Sequence, residues 1–177
     1  MELTEARPAV LMVSVLYGAE DRLQESVRRL ETVFGPVALR SDPYAFDMSD
    51  YYRPEMGGGL RRVWLAFAQP VPPDGLADWK LECASIEEDM SEDGRRTANL
   101  DPGYLDFGKL VLASFKEAPD KVYMGRGVWA HTCLRYGHGR FTAPDHSFPD
   151  FRDGRFDAFM RRARRLLRSS RSVSDVN

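Results

Sequence analysis

The chain of 177 residues reads as an α+β protein, with a single mixed β-sheet and helices packed on it. Its N-terminal part is βαββαβ-like, followed by a helix, a β-meander and a C-terminal helix. Three observations predict this. Ala9–Leu16 is an unbroken apolar run, as in a strand buried on both faces. Apolar residues recur at helical spacing in several later segments. Between those segments, short β-rich runs are bounded by Gly and Pro.

The first helix follows from Leu23, Val27, Leu30 and Phe34, stopped by Gly35-Pro36. Val37–Leu39 opens a second strand and Leu60–Val71 a third, ended by Pro70, Pro72 and Pro73. Gly75–Met90 is an amphipathic helix with Leu76, Trp79, Cys83, Ile86 and Met90 inward and Asp78, Glu82, Glu88 and Asp89 outward. A helix is expected over Tyr104–Ala118, with Phe107, Leu110, Val111, Ser114 and Phe115 facing the core. Lys121–Met124 and Val128–Tyr136 read as strands joined by Gly125-Arg126-Gly127, and Gly137-His138-Gly139 turns into Arg140–Ala143. The last helix spans Arg155–Leu167, burying Phe156, Phe159, Met160, Ala163 and Leu167, and residues 169–177 form a frayed tail. No linker divides residues 1–177, so one domain is expected.

With 25 Lys+Arg against 27 Asp+Glu, the formal net charge is -2, and no global field favours nucleic acid or an anionic membrane. The arginines of the last helix suit its C-terminal dipole, and its aromatics fall on the core face, so nucleic-acid binding is not expected. The N-terminus lacks a basic stretch followed by a long apolar run, and no segment approaches a membrane span; a soluble, cytoplasmic protein is predicted. Cys83 and Cys133 read as buried, reduced thiols.

Phe46–Gly59, FDMSDYYRPEMGGG, concentrates carboxylates in a segment that Pro54 and Gly57-Gly58-Gly59 keep irregular. Asp47, Asp50 and Glu55 there supply oxygen ligands suited to Mg²⁺ or Mn²⁺. The same acids could equally cap turns, with Tyr51 and Tyr52 anchoring the loop. Asp101-Pro102-Gly103-Tyr104 fits a type II turn opening the next helix, whose free amides and Lys109 would receive an anion, Asp101 capping it. Arg126, between two glycines, suits carboxylate or phosphate recognition, although a bulged hairpin explains the glycines as well. In the strand after it, His131 and Arg135 share one face and either line a pocket or form its solvated side. P-loop, dinucleotide-binding, zincin and α/β-hydrolase motifs are absent.

The blocks YAFDMSDYYRPEMGGGLRR, NLDPGYLDFGKLVLASFKE, KVYMGRGVWAHTCLRY and FPDFR together resemble an uncharacterised prokaryotic family, domain of unknown function 4416, over nearly the whole chain. Ser49 stands where Thr is usual in that family, and His131 where an acidic residue is usual. The resemblance carries no activity. From the residues themselves, the leading expectation is a pocket for a small anionic or phosphorylated ligand with a divalent metal. Tyr51, Asp101, Tyr104, Lys109 and Arg126 would bind the ligand, and Asp47, Asp50 and Glu55 the metal. Were the protein an enzyme, metal-assisted phosphoryl or phosphoester chemistry fits these groups, Lys109 or Arg126 offsetting developing charge. The alternative is a noncatalytic protein-interaction module that docks through the acidic loop or the arginine-rich helix.

Overall fold

The structure, a computed structural model, describes residues 4–47 and 51–169. In chain order its elements are β1 (Ala9–Tyr17), α1 (Glu20–Phe34), β2 (Val37–Arg40), β3 (Tyr44–Ala45), α2 (Arg53–Met56), β4 (Arg61–Val71), α3 (Leu76–Asp89), β5 (Ala98–Leu105), β6 (Lys109–Ser114), β7 (Val122–Gly125), β8 (Val128–Gly137), β9 (Arg140–Thr142), α4 (Pro149–Arg152) and α5 (Asp157–Ser169). The strands form one sheet in the order β2-β4-β1-β5-β6-β8-β7, with β3 beside β4 and β9 beside β8. The class is α+β as expected, and every pairing is antiparallel rather than mixed.

Every residue of β1 is buried, because β4 and β5 flank it and helices cover both its faces. On one face Leu11, Val13, Val15 and Tyr17 pack with Leu23 and Leu30 of α1 and Cys83 and Ile86 of α3. On the other, Val10 and Met12 join Trp64, Ala66, Leu110 and Leu112 beneath Phe151 of α4 and Phe159, Met160 and Ala163 of α5. Strand alternation thus sorts one apolar run into two cores. Among the described residues no helix is long and apolar enough to cross a membrane.

The expected helix over Tyr104–Ala118 is instead the β5–β6 hairpin. Asp106 closes it: Oδ1 accepts the amides of Gly108 and Lys109 at 2.7 and 2.8 Å, and the Asp106 amide donates to the Lys109 carbonyl at 3.0 Å. Leu110, Val111, Leu112 and Ala113 are all buried, as suits a strand covered on both faces and not a half-exposed helix. Nor is Asp101-Pro102-Gly103 a turn, since all three residues lie within β5. Gly103 serves close approach instead: a Cβ there would stand 2.0 Å from the Val111 carbonyl oxygen on β6. Of the expected tail at 169–177, all but the backbone of Ser169 lies outside the described residues.

Candidate functional site

The site begins with a gap in the sheet. β5 pairs with β1 along its whole length but with β6 only from Gly103 to Leu105. Ala98–Pro102 therefore has a backbone edge with no strand on it. Pro102 fits there because it has no amide to leave unpaired. Leu100 is completed by side chains of α3: Glu87 Oε1 accepts its amide at 2.5 Å, and Lys80 Nζ donates to its carbonyl at 2.9 Å. Two charged residues, 7% and 4% exposed, thus do the work of a missing strand.

The same Lys80 ammonium donates to Asp101 Oδ1 at 3.0 Å, and Asn99 Nδ2 donates to Asp101 Oδ2 at 2.8 Å. Arg96 continues the chain through Nη1 to Asn99 Oδ1 at 3.0 Å, with Glu87 Oε2 at 3.6 Å. Its Nε and Nη2 donate to Glu55 Oε2 at 2.9 and 2.6 Å. Burial alone would raise the Asp101 pKa, but Lys80, Arg62 and the Asn99 hydrogen bond outweigh it and hold the carboxyl below its usual range. For Glu87 burial wins, and its pKa is raised despite Lys80 and the Leu100 amide. For Lys80, Asp101 and Glu87 overcome burial and keep it charged.

Glu55 belongs to α2, a single turn with Pro54 where a missing N–H costs nothing. The surrounding segment lies over this polar part of the sheet. Lys116 Nζ sits 3.2 Å from the centre of the Tyr51 ring, and the Arg96 guanidinium lies over Tyr52 at 5.8 Å. The Tyr52 hydroxyl is raised in pKa, first by burial and then by Asp101. On the sheet face that carries Met12 and Leu112, alternation also places Ser14, Arg62, Asp101, Ser114 and His131. Arg62 pairs with buried Asp150 at 3.0 Å and stacks on Phe46 and Phe151. Lys121 Nζ donates to Ser114 Oγ at 2.9 Å and is lowered in pKa chiefly by burial. His131 is 9% exposed with neither ring nitrogen hydrogen-bonded; burial, then Lys121, lowers its pKa to about 4, so the ring is neutral near pH 7.

Two cavities flank the Tyr51–Gly59 segment. One, of about 380 Å³, is lined by Phe46, Asp47, Arg53, Gly57–Gly59 and Arg61. The other, of about 580 Å³, is lined by Gly18, Ala19, Arg22, Glu55, Glu92, Arg95 and Arg96. Gly18 and Ala19 lead into α1, whose N-terminus has no side-chain cap; the Arg22 amide turns back to the Ala19 carbonyl at 3.1 Å, which leaves those of Glu20 and Asp21 for solvent or a ligand. Three arginines and three acids line this second cavity, counting Asp93 with the two glutamates, and Arg22 is paired with Glu92.

The chain matches the family model described as Domain of unknown function (DUF4416) over residues 7–166. It belongs to that family. No curated protein and no solved structure gave a match.

In this DUF4416 chain the acidic segment and Asp101, distant in sequence, meet through Glu55, Arg96 and Asn99. Tyr51 lies at the same place, over Lys116. Asp47 and Glu55 line different cavities, and Asp50 lies outside the described residues. Among the described residues no three His, Cys, Asp or Glu side chains cluster as a metal site. Lys109 is not beside Asp101: it begins β6, pairs with Asp106 and lies over Tyr104, at the end of that strand away from Ser114. Arg126 sits on the β7–β8 turn with φ +52° and pairs with Asp78 at 2.6 Å.

Sequence reasoning missed Lys80, Glu87, Arg96 and Asn99. The signal for two of them was present, since Leu76, Lys80, Cys83, Glu87 and Met90 follow one another at helical spacing along the inward stripe of α3. A Lys and a Glu on such a stripe mark a buried polar task. Arg96 and Asn99 carry no comparable local signal, because their role depends on the gap beside β5.

Proposed function

We propose that this protein binds a small anionic, phosphorylated ligand in the 580 Å³ cavity beside Arg96, with a divalent metal held between the ligand and the acids of the Phe46–Gly59 segment. The observation that carries the reading is the position of Arg96. It is tied to Asn99 and Glu87 behind the cavity and to Glu55 in front, while Arg22, Arg95 and the uncapped start of α1 line the same space. A phosphate suits Arg96 as a bidentate partner and would take the place of Glu55. Glu55, released, would offer its carboxylate to Mg²⁺ or Mn²⁺, ions that usually take one or two protein carboxylates and complete their shell with phosphate oxygens and water. Asp101 would act behind this shell by fixing Asn99, and Asn99 in turn orients Arg96. Tyr104, Lys109 and Arg126 have no contact in this arrangement.

Calorimetry with pyrophosphate and a nucleotide panel, with and without Mg²⁺ or Mn²⁺, tests it. Arg96→Gln should abolish binding, and Glu55→Gln should remove only the metal-dependent part without lowering the melting temperature. Binding that survives Arg96→Gln undiminished, or no binding by any phosphate compound, rejects the reading. The second reading is the interaction module. It is favoured by Arg162 and Arg165 on the outer side of α5, which make no ion pair among the described residues.

A further inference from the structure

We propose that Lys121, Ser114 and His131 form a second binding site, which takes the carboxylate group of a small organic acid. This site does not depend on the cavity beside Arg96. Its mark is three hydrogen-bond donors without an acceptor. Lys121 Nζ donates to Ser114 Oγ at 2.9 Å and to the Lys116 carbonyl at 3.0 Å, which uses two of its three protons. Ser114 Oγ also accepts the Lys116 amide at 3.0 Å. That oxygen thus receives two bonds, and its own proton has no acceptor among the described residues. His131, 9% exposed, is a neutral ring with one N–H, and neither nitrogen has a partner. A buried donor left unpaired is costly, so this cluster is built for an acceptor.

Strand register brings the three donors together. Leu112 of β6 stands opposite His131 of β8, and Ser114 follows two residues on, so Ser114 and His131 are diagonal neighbours on one face. Such positions lie roughly 7 Å apart, about the reach of a carboxylate that accepts a hydrogen bond at each oxygen. β5 does not intrude, because its pairing with β6 ends where Gly103 meets Leu112, and Ser114 opens on the gap beyond. The way in is from solvent: Ser114 and Lys121 are half-buried and Lys116 is exposed, while His131 lies deeper.

Charge selects a carboxylate. It accepts only, and it brings the single negative charge that Lys121 lacks. The Lys121 ammonium touches neutral oxygens alone. The acids nearby are already engaged, Asp101 by Lys80 and Asn99, and Asp150 by Arg62. Burial lowers the Lys121 pKa, and neighbouring Lys116 and Lys80 add to that, as fits an ammonium short of a counter-charge. A phosphate dianion would bring a second charge, for which neutral His131 offers no cation.

Acetate is the probe, titrated into the isotope-labelled full chain near neutral pH against sodium chloride at equal ionic strength. The ring signals of His131, identified by their loss in His131→Gln, should move saturably with acetate and not with chloride. Lys121→Met should abolish that response, and Ser114→Ala should weaken acetate binding roughly tenfold. Should Lys121→Met fail to fold, Ser114→Ala decides. Arg96→Gln, outside this site, should bind acetate like the parent. Acetate that moves His131 no more than chloride does overturns the proposal, as does binding that survives Ser114→Ala undiminished. Inorganic phosphate that saturates the same signals more tightly than acetate overturns the choice of a carboxylate.

Discussion

Lys80 reaches from α3 to Asp101 on β5, Nζ to Oδ1 at 3.0 Å, and with the same ammonium completes the Leu100 carbonyl at 2.9 Å. One side chain therefore serves both the edge of the sheet and the charge balance of the candidate site. Lys80→Met would leave the buried Leu100 carbonyl without a donor and the largely enclosed Asp101 carboxylate without its cation, with Asn99 alone donating to it. The expected loss is about 3 kcal/mol or more, read as a lower urea midpoint at unchanged slope. Asp101→Asn, which keeps an acceptor for Lys80, should lose less. If Lys80→Met unfolds like the parent, Lys80 is not completing β5.

Glu55 and Arg96 form an ion pair of the opposite kind, 46% and 29% exposed. Glu55→Gln should change stability by less than about 1 kcal/mol, because exposed pairs gain little against water. A loss comparable to that of Lys80→Met would mean that the Tyr51–Gly59 segment is a structural cover and not a displaceable one.

Gly103 tests the hairpin that replaces the expected helix. An alanine Cβ would stand 2.0 Å from the Val111 carbonyl oxygen and 2.6 Å from Leu112 Cδ2, and backbone on β6 cannot step aside without parting the two strands. Gly103→Ala should therefore destabilise by about 3 kcal/mol or more, in the range of severe core overpacking. A folded variant with an undiminished melt would contradict the close approach of β5 and β6.

These variants fall where sequence and structure part. β1 was legible because eight successive uncharged positions, Ala9–Leu16, fit only a strand with cover on both faces. The inward stripe of α3 was equally legible from Trp79, Cys83 and Ile86. The segment holding Phe107, Leu110, Val111, Ser114 and Phe115 misled, since that spacing satisfies a helix while Leu110–Ala113 is in truth covered on both sides. What covers them, α3 on one face and α5 on the other, is remote in sequence. The acidic segment announced itself by composition. Its connection to Asp101 did not, because it runs through Arg96 and Asn99 at an unpaired strand edge that no local pattern encodes.

Cys83 and Cys133 are both buried and free, in line with the reading from sequence, and burial pushes both thiols up in pKa. Neither should react with a thiol reagent in the native protein near pH 7, since the thiolate is the reactive form. Two equivalents should appear on adding denaturant. Rapid native labelling of either cysteine would show that its cover opens.

His131 should make stability depend on pH. Its folded pKa is lowered to about 4 from an ordinary 6.5, mainly by burial. Between those values the unfolded chain binds a proton that the folded protein refuses, so stability is intact above about pH 6.5 and is lost progressively as pH falls toward 4. The loss amounts to on the order of 3 kcal/mol. Glu87 and Asp150 act in the opposite sense, because their pKa values are raised in the fold and their protonation at low pH favours it. A single stability curve mixes these effects, whereas the difference between the parent and His131→Gln isolates the histidine. Urea unfolding of both proteins from pH 7 to pH 4 should give curves that converge as pH falls, the parent losing more. Parallel curves would mean that His131 is protonated in the fold as easily as in the unfolded chain, and that its unpartnered nitrogens are open to water.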